Sequence, residues 1–330
     1  MIAKLHFALV STLLLAGGDA FAQAWVAPEN SLDVGAGYFF NDSNGHYGGG
    51  LKGPDVLQGE DLDHVRSHSY RVGAEYSTPV KGLSVGVDVY AINPDFVGSA
   101  MYNPHGDFQH CATVNGMMQC NHEASGTKLT DFLADARYQT AWAPGGLAIT
   151  PTVGVTLPMR DYPTIGHVGY GKNLKEARVG LDIGRFIGEK AYVDFLYTYS
   201  IVEHLDVTPD ADAMGLNRSD ARLIGGYFVH PKISLFAGGQ WRHVHGGFSW
   251  GDTQAIRAKV MAGEMLTPLE KTKAVYHDQL ARERAWIVAG GVSAQPMEKL
   301  SLQLSFVKLL DGDSVPNLFG VSLSAAWTVF

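Results

Sequence analysis

From Ser31 to the C-terminal residue, apolar and polar positions alternate with a period of two, in runs of about 9 to 14 residues. Leu32, Val34, Ala36, Tyr38 and Phe40 share one face, with Asp33 on the other. Tyr70, Val72, Ala74 and Tyr76 stand opposite Arg71 and Glu75, and Val85, Val87 and Val89 opposite Asp88. Phe132, Ala134 and Ala136 oppose Asp131, Asp135 and Arg137. The pattern returns with Ala177, Val179 and Leu181 against Glu176, Arg178 and Asp182, and with Val193, Phe195 and Tyr197 against Asp194. Leu223 then faces away from Arg222, and Leu235 and Trp241 from Arg242. It is cleanest at Leu300, Leu302, Leu304 and Phe306 against Ser301, Gln303 and Ser305, and the chain closes on Val321, Leu323, Ala325, Trp327 and Val329. The count comes to about twelve strands, an even number, and no amphipathic helix competes outside one connection.

The connections alternate too. Short ones fall at 79–82, 143–146, 188–190, 230–232 and 296–299. Longer ones fall near 42–64, 92–126, 158–173, 205–217 and 246–281, with a shorter one near 311–317. Tight turns at one end and long loops at the other are the layout of an outer-membrane barrel, with the turns periplasmic and the loops extracellular. The expected fold is therefore all-β: a transmembrane antiparallel up-and-down β-barrel whose termini both face the periplasm. A soluble barrel would carry the same periodicity with its faces inverted. Strand number and length, the turn and loop alternation, and aromatics near strand ends (Tyr38, Phe40, Tyr76, Tyr90, Trp142, Tyr199, Trp241, Trp327) favour the membrane form.

Lys4, the apolar run Leu5–Ala16 and the small residues Ala20 and Ala22 read as a secretory signal peptide over residues 1–22, cleaved after Ala22, with residues 23–330 as one barrel domain. The run is too short to span a bilayer, so a membrane form must cross with strands. A net charge of −8, with 33 acidic against 25 basic side chains, argues against nucleic acid as a partner. A content of 46% hydrophobic residues excludes a disordered chain, and two cysteines exclude a disulfide framework.

The ending Ala325–Phe330 resembles the terminal strand of Gram-negative outer-membrane proteins, which implies recognition by the barrel-assembly machinery through Phe330. Here Phe330 stands out of phase with Trp327 and Val329. The hairpin layout with Gly-rich strands is similar to the outer-membrane family linked to the meta pathway of phenol degradation, a distant relative of fatty-acid channels. That likeness implies passage of a small aromatic or other organic solute. Few residues separate Ala22 from the first strand, which suggests that no N-terminal plug is present.

If lipid faces the apolar set, the lumen is lined by Arg71, Glu75, Asp88, Asp131, Asp135, Arg137, Arg178, Asp182, Asp194, Arg222 and Arg242, with Asp33 and Glu176. One outcome is a narrow passage whose charged walls select polar solutes. The other is a lumen closed by cross-strand pairing of the same charges. The corresponding functions are passive uptake of a small solute, and a barrel acting as adhesin, receptor or structural protein through its loops. An enzyme at the rim is the third class, but no GxSxG, HExxH or phosphate-cradling loop is present, and His68 directly precedes Ser69. No catalytic residue, cofactor or metal is assigned; the expected surroundings are outer-membrane lipid. Residues 253–283 read as two helical pieces separated at Pro268, either folded into the pore or packed on the rim. Cys111 and Cys120 are close enough to form a disulfide in an exported protein, and His110, Met117, Met118 and His122 leave a soft-metal alternative.

Overall fold

The computed structural model describes residues 24–47, 64–97, 111–114, 117–120, 126–140, 146–160, 173–204, 215–275, 282–313 and 315–330. The alternating runs, rich in β-branched and aromatic residues, form strands. They are β1 (Ser31–Tyr47), β2 (His64–Ser77), β3 (Leu83–Val97), β4 (Cys111–Val114), β5 (Met117–Cys120), β6 (Lys128–Tyr138) and β7 (Leu147–Pro158). After them come β8 (Glu176–Ile187), β9 (Ala191–Val202), β10 (Arg218–His230), β11 (Ile233–Val244), β12 (Arg284–Met297), β13 (Leu300–Asp313) and β14 (Val315–Thr328). All except β4 and β5 pair antiparallel in a closed barrel of twelve strands, and β4 with β5 makes a separate ribbon between β3 and β6.

Closure joins β1 to β14, from Asp33 opposite Thr328 to Tyr47 opposite Val315. At the seam Thr328 Oγ1 donates to Asp33 at 2.5 Å, and the Val329 amide donates to the Leu32 carbonyl at 2.7 Å. Because successive side chains point to opposite faces, this register fixes what lies inside. The outer surface exposes Val72, Val153, Val179, Leu223, Leu235 and Leu323 by half or more of their area. Apolar area on this scale is unfavourable in water by about 25 cal/mol per Å², and it suits hydrocarbon. No helix among the described residues is long and apolar enough to cross a membrane. The chain is a closed antiparallel β-barrel with its apolar face outward, the arrangement of a barrel that crosses a membrane with strands.

At the short-turn end the reversal after β2 depends on Gly82, whose φ of 78° is open to glycine and whose missing Cβ would lie 2.4 Å from the Gln139 carbonyl oxygen. At the opposite end the strands run farther than the alternation indicates. β1 continues to Tyr47 through the 42–64 connection, β3 reaches Val97, and the 311–317 connection is strand up to Asp313 and again from Val315. The stretch Asn41–Tyr47 is polar at both alternating positions and so carries no alternation to read.

The long connection after β11 holds α1 (Trp250–Met261) and α2 (Pro268–Val275). The break lies at 262–267, and Pro268 opens the second helix, where its missing amide hydrogen is not needed. Each helix begins with a capping box. Asp252 accepts from the Ser249 amide at 3.0 Å and Glu270 from the Thr267 amide at 2.9 Å, while the Ser249 and Thr267 hydroxyls accept in return. Lys259 to Glu270 at 2.6 Å and Lys273 to Asp252 at 3.2 Å tie the helices together.

Two outcomes follow. Leu223→Arg, placing a charge on the lipid face, should lower unfolding stability in bilayers by about 2–4 kcal/mol, measured by denaturant titration of heat-modifiable folded protein. Cys111 stands opposite Cys120 in the β4–β5 register, so a non-reducing peptide map should show the two linked, whereas two freely alkylated thiols would contradict the link.

Candidate functional site

The inward positions of successive strands carry charge toward the barrel axis, and the register brings opposite signs together. Arg71 Nη2 on β2 lies 2.7 Å from Asp88 on β3. Arg137 on β6 pairs with Glu75 and lies 3.9 Å from Asp135. Arg222 on β10 stands 3.9 Å from Asp194 on β9. Arg178 on β8 and Asp131 on β6 are also inward and buried, whereas Asp135 is partly exposed. Arg242 on β11 meets Asp220 at 2.6 Å.

Asp220 and Arg218 were not among the residues singled out from the sequence, yet they complete the strongest cluster. Arg218 donates through both terminal nitrogens to the two oxygens of Glu176, at 2.8 and 2.7 Å, and its Nε lies 3.3 Å from Asp220. This fork is the geometry in which guanidinium and carboxylate bond best. Arg218, Asp220 and Arg222 follow one another at intervals of two, a signal that the polar Ser219 on the other face obscures. The opposite wall differs. Phe39 on β1, Ile287 on β12, Val307 and Leu309 on β13 and Leu318 on β14 form a buried apolar cluster inside the barrel.

The interior also receives the chain's own N-terminal segment, although so short a stretch before β1 suggests that no plug is possible. The Ala24 amide donates to Asp194 Oδ2 at 3.0 Å, and its carbonyl accepts from Thr150 Oγ1 at 2.5 Å. The Val26 amide donates to Gln139 Oε1 at 2.8 Å. Trp25 packs against Phe186 and Tyr192, with ring centroids 4.7 and 6.4 Å away, beside the buried group Tyr192, Ile224 and Phe236. The strands leave room for it at one position. A Cβ on Gly184 would lie 2.6 Å from both the Ala24 Cβ and the Trp25 ring. Pro28 to Asn30 then turn the chain into the wall: the Ser31 hydroxyl donates to the Pro28 carbonyl at 2.6 Å, and Asn30 adopts φ 60°, which asparagine tolerates. These contacts hold the segment against the inner wall at the short-turn end.

At the other end Phe248 joins Leu174, Val202, Leu216 and Val244 in a buried cluster over the mouths of β8 to β11. The Arg282 amide donates to the Phe248 carbonyl at 2.7 Å, so both ends of the helical connection are held at the rim. Glu270, bonded by Lys259 and by Thr267, is held well below the usual carboxylate range, at about 2.

On the outer face near the rim, Ser219 Oγ lies 2.8 Å from His245 Nε2 and 2.9 Å from the Tyr197 hydroxyl. Tyr197 already engages the buried serine, and Trp241 stacks on His243 beside His245, an arrangement suited to the polar edge of a bilayer. Among the described residues no group of three His, Cys, Asp or Glu side chains is placed to hold a metal.

No protein-family model matches the chain, and no curated protein matches it in sequence. Solved structures do match in fold. An outer membrane channel from Pseudomonas putida F1 superposes with a TM-score of 0.63 at 14% identity, covering 92% of this chain and 97% of that one. The NanC porin gives 0.48 at 7% identity, covering 90% and 98%. The β domain of the Bordetella autotransporter BrkA gives 0.47 at 10%, covering 91% and 100%. At such identities the first likeness is one of fold.

Gly184→Val should expel residues 24–26 from their seat. The expected readout is protease cleavage near Trp25 in the folded variant under conditions where the parent chain is resistant; equal resistance would contradict the seat.

Proposed function

We propose that this protein is an outer-membrane barrel closed at rest, which meets its partners through its extracellular end and is not a permanently open pore. The observation that carries this reading is the filled interior. Inward polar side chains on strand after strand, among them Arg71, Asp88, Asp182, Arg222, Ser234 and Ser322, are nearly inaccessible to solvent. A water-filled pore would leave them wet. The charges that could select a solute are instead spent on one another, and Trp25 with its neighbours fills the periplasmic end.

The extracellular end offers what a partner-binding role requires. The α1–α2 connection is ordered by two capping boxes and two ion pairs and is fixed to the rim at both ends. Long ordered loops on a rigid scaffold are where binding is expected. In this reading residues 1–22 direct export, Phe330 contributes to recognition by the assembly machinery, and the chain performs no catalysis.

A second reading has its own support. The segment 24–26 is held in its seat by three hydrogen bonds and one aromatic pocket, all non-covalent, so it can swing out while tethered to β1. In that case the barrel is a gated channel, Arg71, Glu75, Asp88, Asp131, Asp135, Arg137, Arg178, Asp182, Asp194, Arg222 and Arg242 shape the opened path, and the solute is small. The layout's similarity to the phenol meta-pathway family makes small aromatic acids the first solutes to try.

Planar-bilayer recording separates the two. The parent protein should be electrically silent. If deletion of residues 23–28 yields discrete steps blocked by an aromatic acid, the gated channel holds. If the deleted form stays silent and folded, the loop-mediated role holds. Steady conductance from the parent protein would overturn the closed state itself.

A further inference from the structure

On the outer face, toward the long-connection end, the register stacks three rows of side chains across β9 to β12. The row nearest the middle of the barrel wall is Phe195, Leu223, Gly239 and Val288, apolar throughout. Next toward the loops come Tyr197, Ala221, Trp241 and Trp286, with the two indole rings 6.3 Å apart. The last row is Tyr199, Ser219, His243 and Arg284. Apolar, then aromatic, then polar is the order in which a membrane surface passes from acyl chains to headgroups.

The polar row continues past the strand ends. His245 is exposed and held by Ser219 at 2.8 Å, with its ring 4.9 Å from that of His243. Arg282 is exposed and anchored at the rim: its amide donates to the Phe248 carbonyl at 2.7 Å and its guanidinium to the Gly247 carbonyl at 3.3 Å. Arg284 is exposed too, and among the described residues neither arginine is ion-paired to a carboxylate. Both guanidinium charges, with His245 and Asp313, act on His243. Glu283, between the arginines in sequence, is buried. Asp313 stands opposite Arg284 and Asp311 opposite Trp286, so carboxylates bound the patch on β13. In a chain of net charge −8, this gathering of two arginines and two histidines on one outward edge reverses the prevailing sign.

We propose that this edge binds a phosphorylated lipid of the outer leaflet. Arg282 and Arg284 take the phosphate, for which a guanidinium fork is well shaped, with the two histidines beside it. The acyl chains lie over Trp241, Trp286 and the apolar row beneath. That lower surface is what selects a lipid over a free anion: Trp286 is 50% and Leu223 53% exposed, apolar area that a soluble phosphate leaves uncovered. Because Arg282 also ends the helical connection, a bound headgroup fastens that connection to the membrane surface. The inference rests on the reading of the long connections as the extracellular end, and it holds whether the lumen is open or closed.

The test is native mass spectrometry of the full mature barrel in a neutral detergent, titrated with a glycolipid phosphorylated on its sugar headgroup and with the same lipid after removal of the phosphate. One phosphorylated lipid per barrel should be retained, about tenfold or more better than the dephosphorylated form, since each cation at such a surface contributes about fivefold. Arg282→Gln with Arg284→Gln should abolish that preference. Lys81→Gln with Lys232→Gln, exposed cations at the short-turn end, should leave it unchanged. Equal retention of the two lipids by the parent protein, or an undiminished preference in the arginine variant, would overturn the site. Inorganic phosphate is the third arm: a discrete phosphate adduct without preference for the phosphorylated lipid would overturn the lipid as occupant. The parent comparison decides the matter even if the arginine variant fails to fold. Conductance, read separately, bears on the closed state and leaves the lipid result untouched.

Discussion

The constraint on which this structure depends is that hydrocarbon offers no partner to a peptide N–H or C=O. Strands that cross it must satisfy one another completely, so β1 has to find β14 and the sheet has no edge. Closure then dictates the rest. One set of alternating side chains faces lipid and must be apolar, and the other is turned inward, where it is either wetted by a channel or packed by its neighbours. At twelve strands the barrel lies between the small ones that side chains fill and the large ones that stay open.

Among the described residues the inward side chains form two different walls. On β2, β3, β6 and β8 to β11 the inward residues include arginines and carboxylates whose register places opposite signs within bonding distance. Such buried pairs add little net stability compared with apolar packing, but loss of one partner costs about 3–5 kcal/mol, so they specify one arrangement strongly. On β12 to β14 and β1 the inward residues are mostly apolar or small hydroxyls, with Asp33 and Gln303 as exceptions, and Phe39, Leu309 and Leu318 pack as a conventional core. At the short-turn end Trp25 packs in an aromatic pocket on the inner wall. Its backbone neighbours bond to Asp194, Thr150 and Gln139.

Much of the fold was legible because the alternation is a direct record of which face meets lipid. The twelve strands, the turns near Lys81 and Glu189, and the inward side of Arg71, Asp88 and Asp182 all follow from it. What stayed hidden has physical reasons. The ends of β1 and β3 carry no clean alternation in the sequence. Arg218 and Asp220 were masked by Ser219, a polar residue on the outward face that bonds Tyr197 and His245. The apolar inner wall was invisible because Ile287, Val307 and Leu309 read as ordinary strand residues, and only closure shows which way they point. The plug left no pattern at all. A segment such as Ala24–Val26 is recognised by what it touches across the sheet, and Gly184, which makes room for it, looks like any other strand glycine.

The central claim is that the lumen is closed in the resting protein by its own side chains and N-terminal segment. The most direct measurement is the reactivity of a cysteine at Thr198, an inward position in the middle of β9, toward a charged, membrane-impermeant thiol reagent, with the barrel reconstituted in liposomes and its native cysteines replaced. The account predicts no modification of Thr198→Cys in the full mature chain. Rapid modification in the full chain would show an open lumen and contradict it.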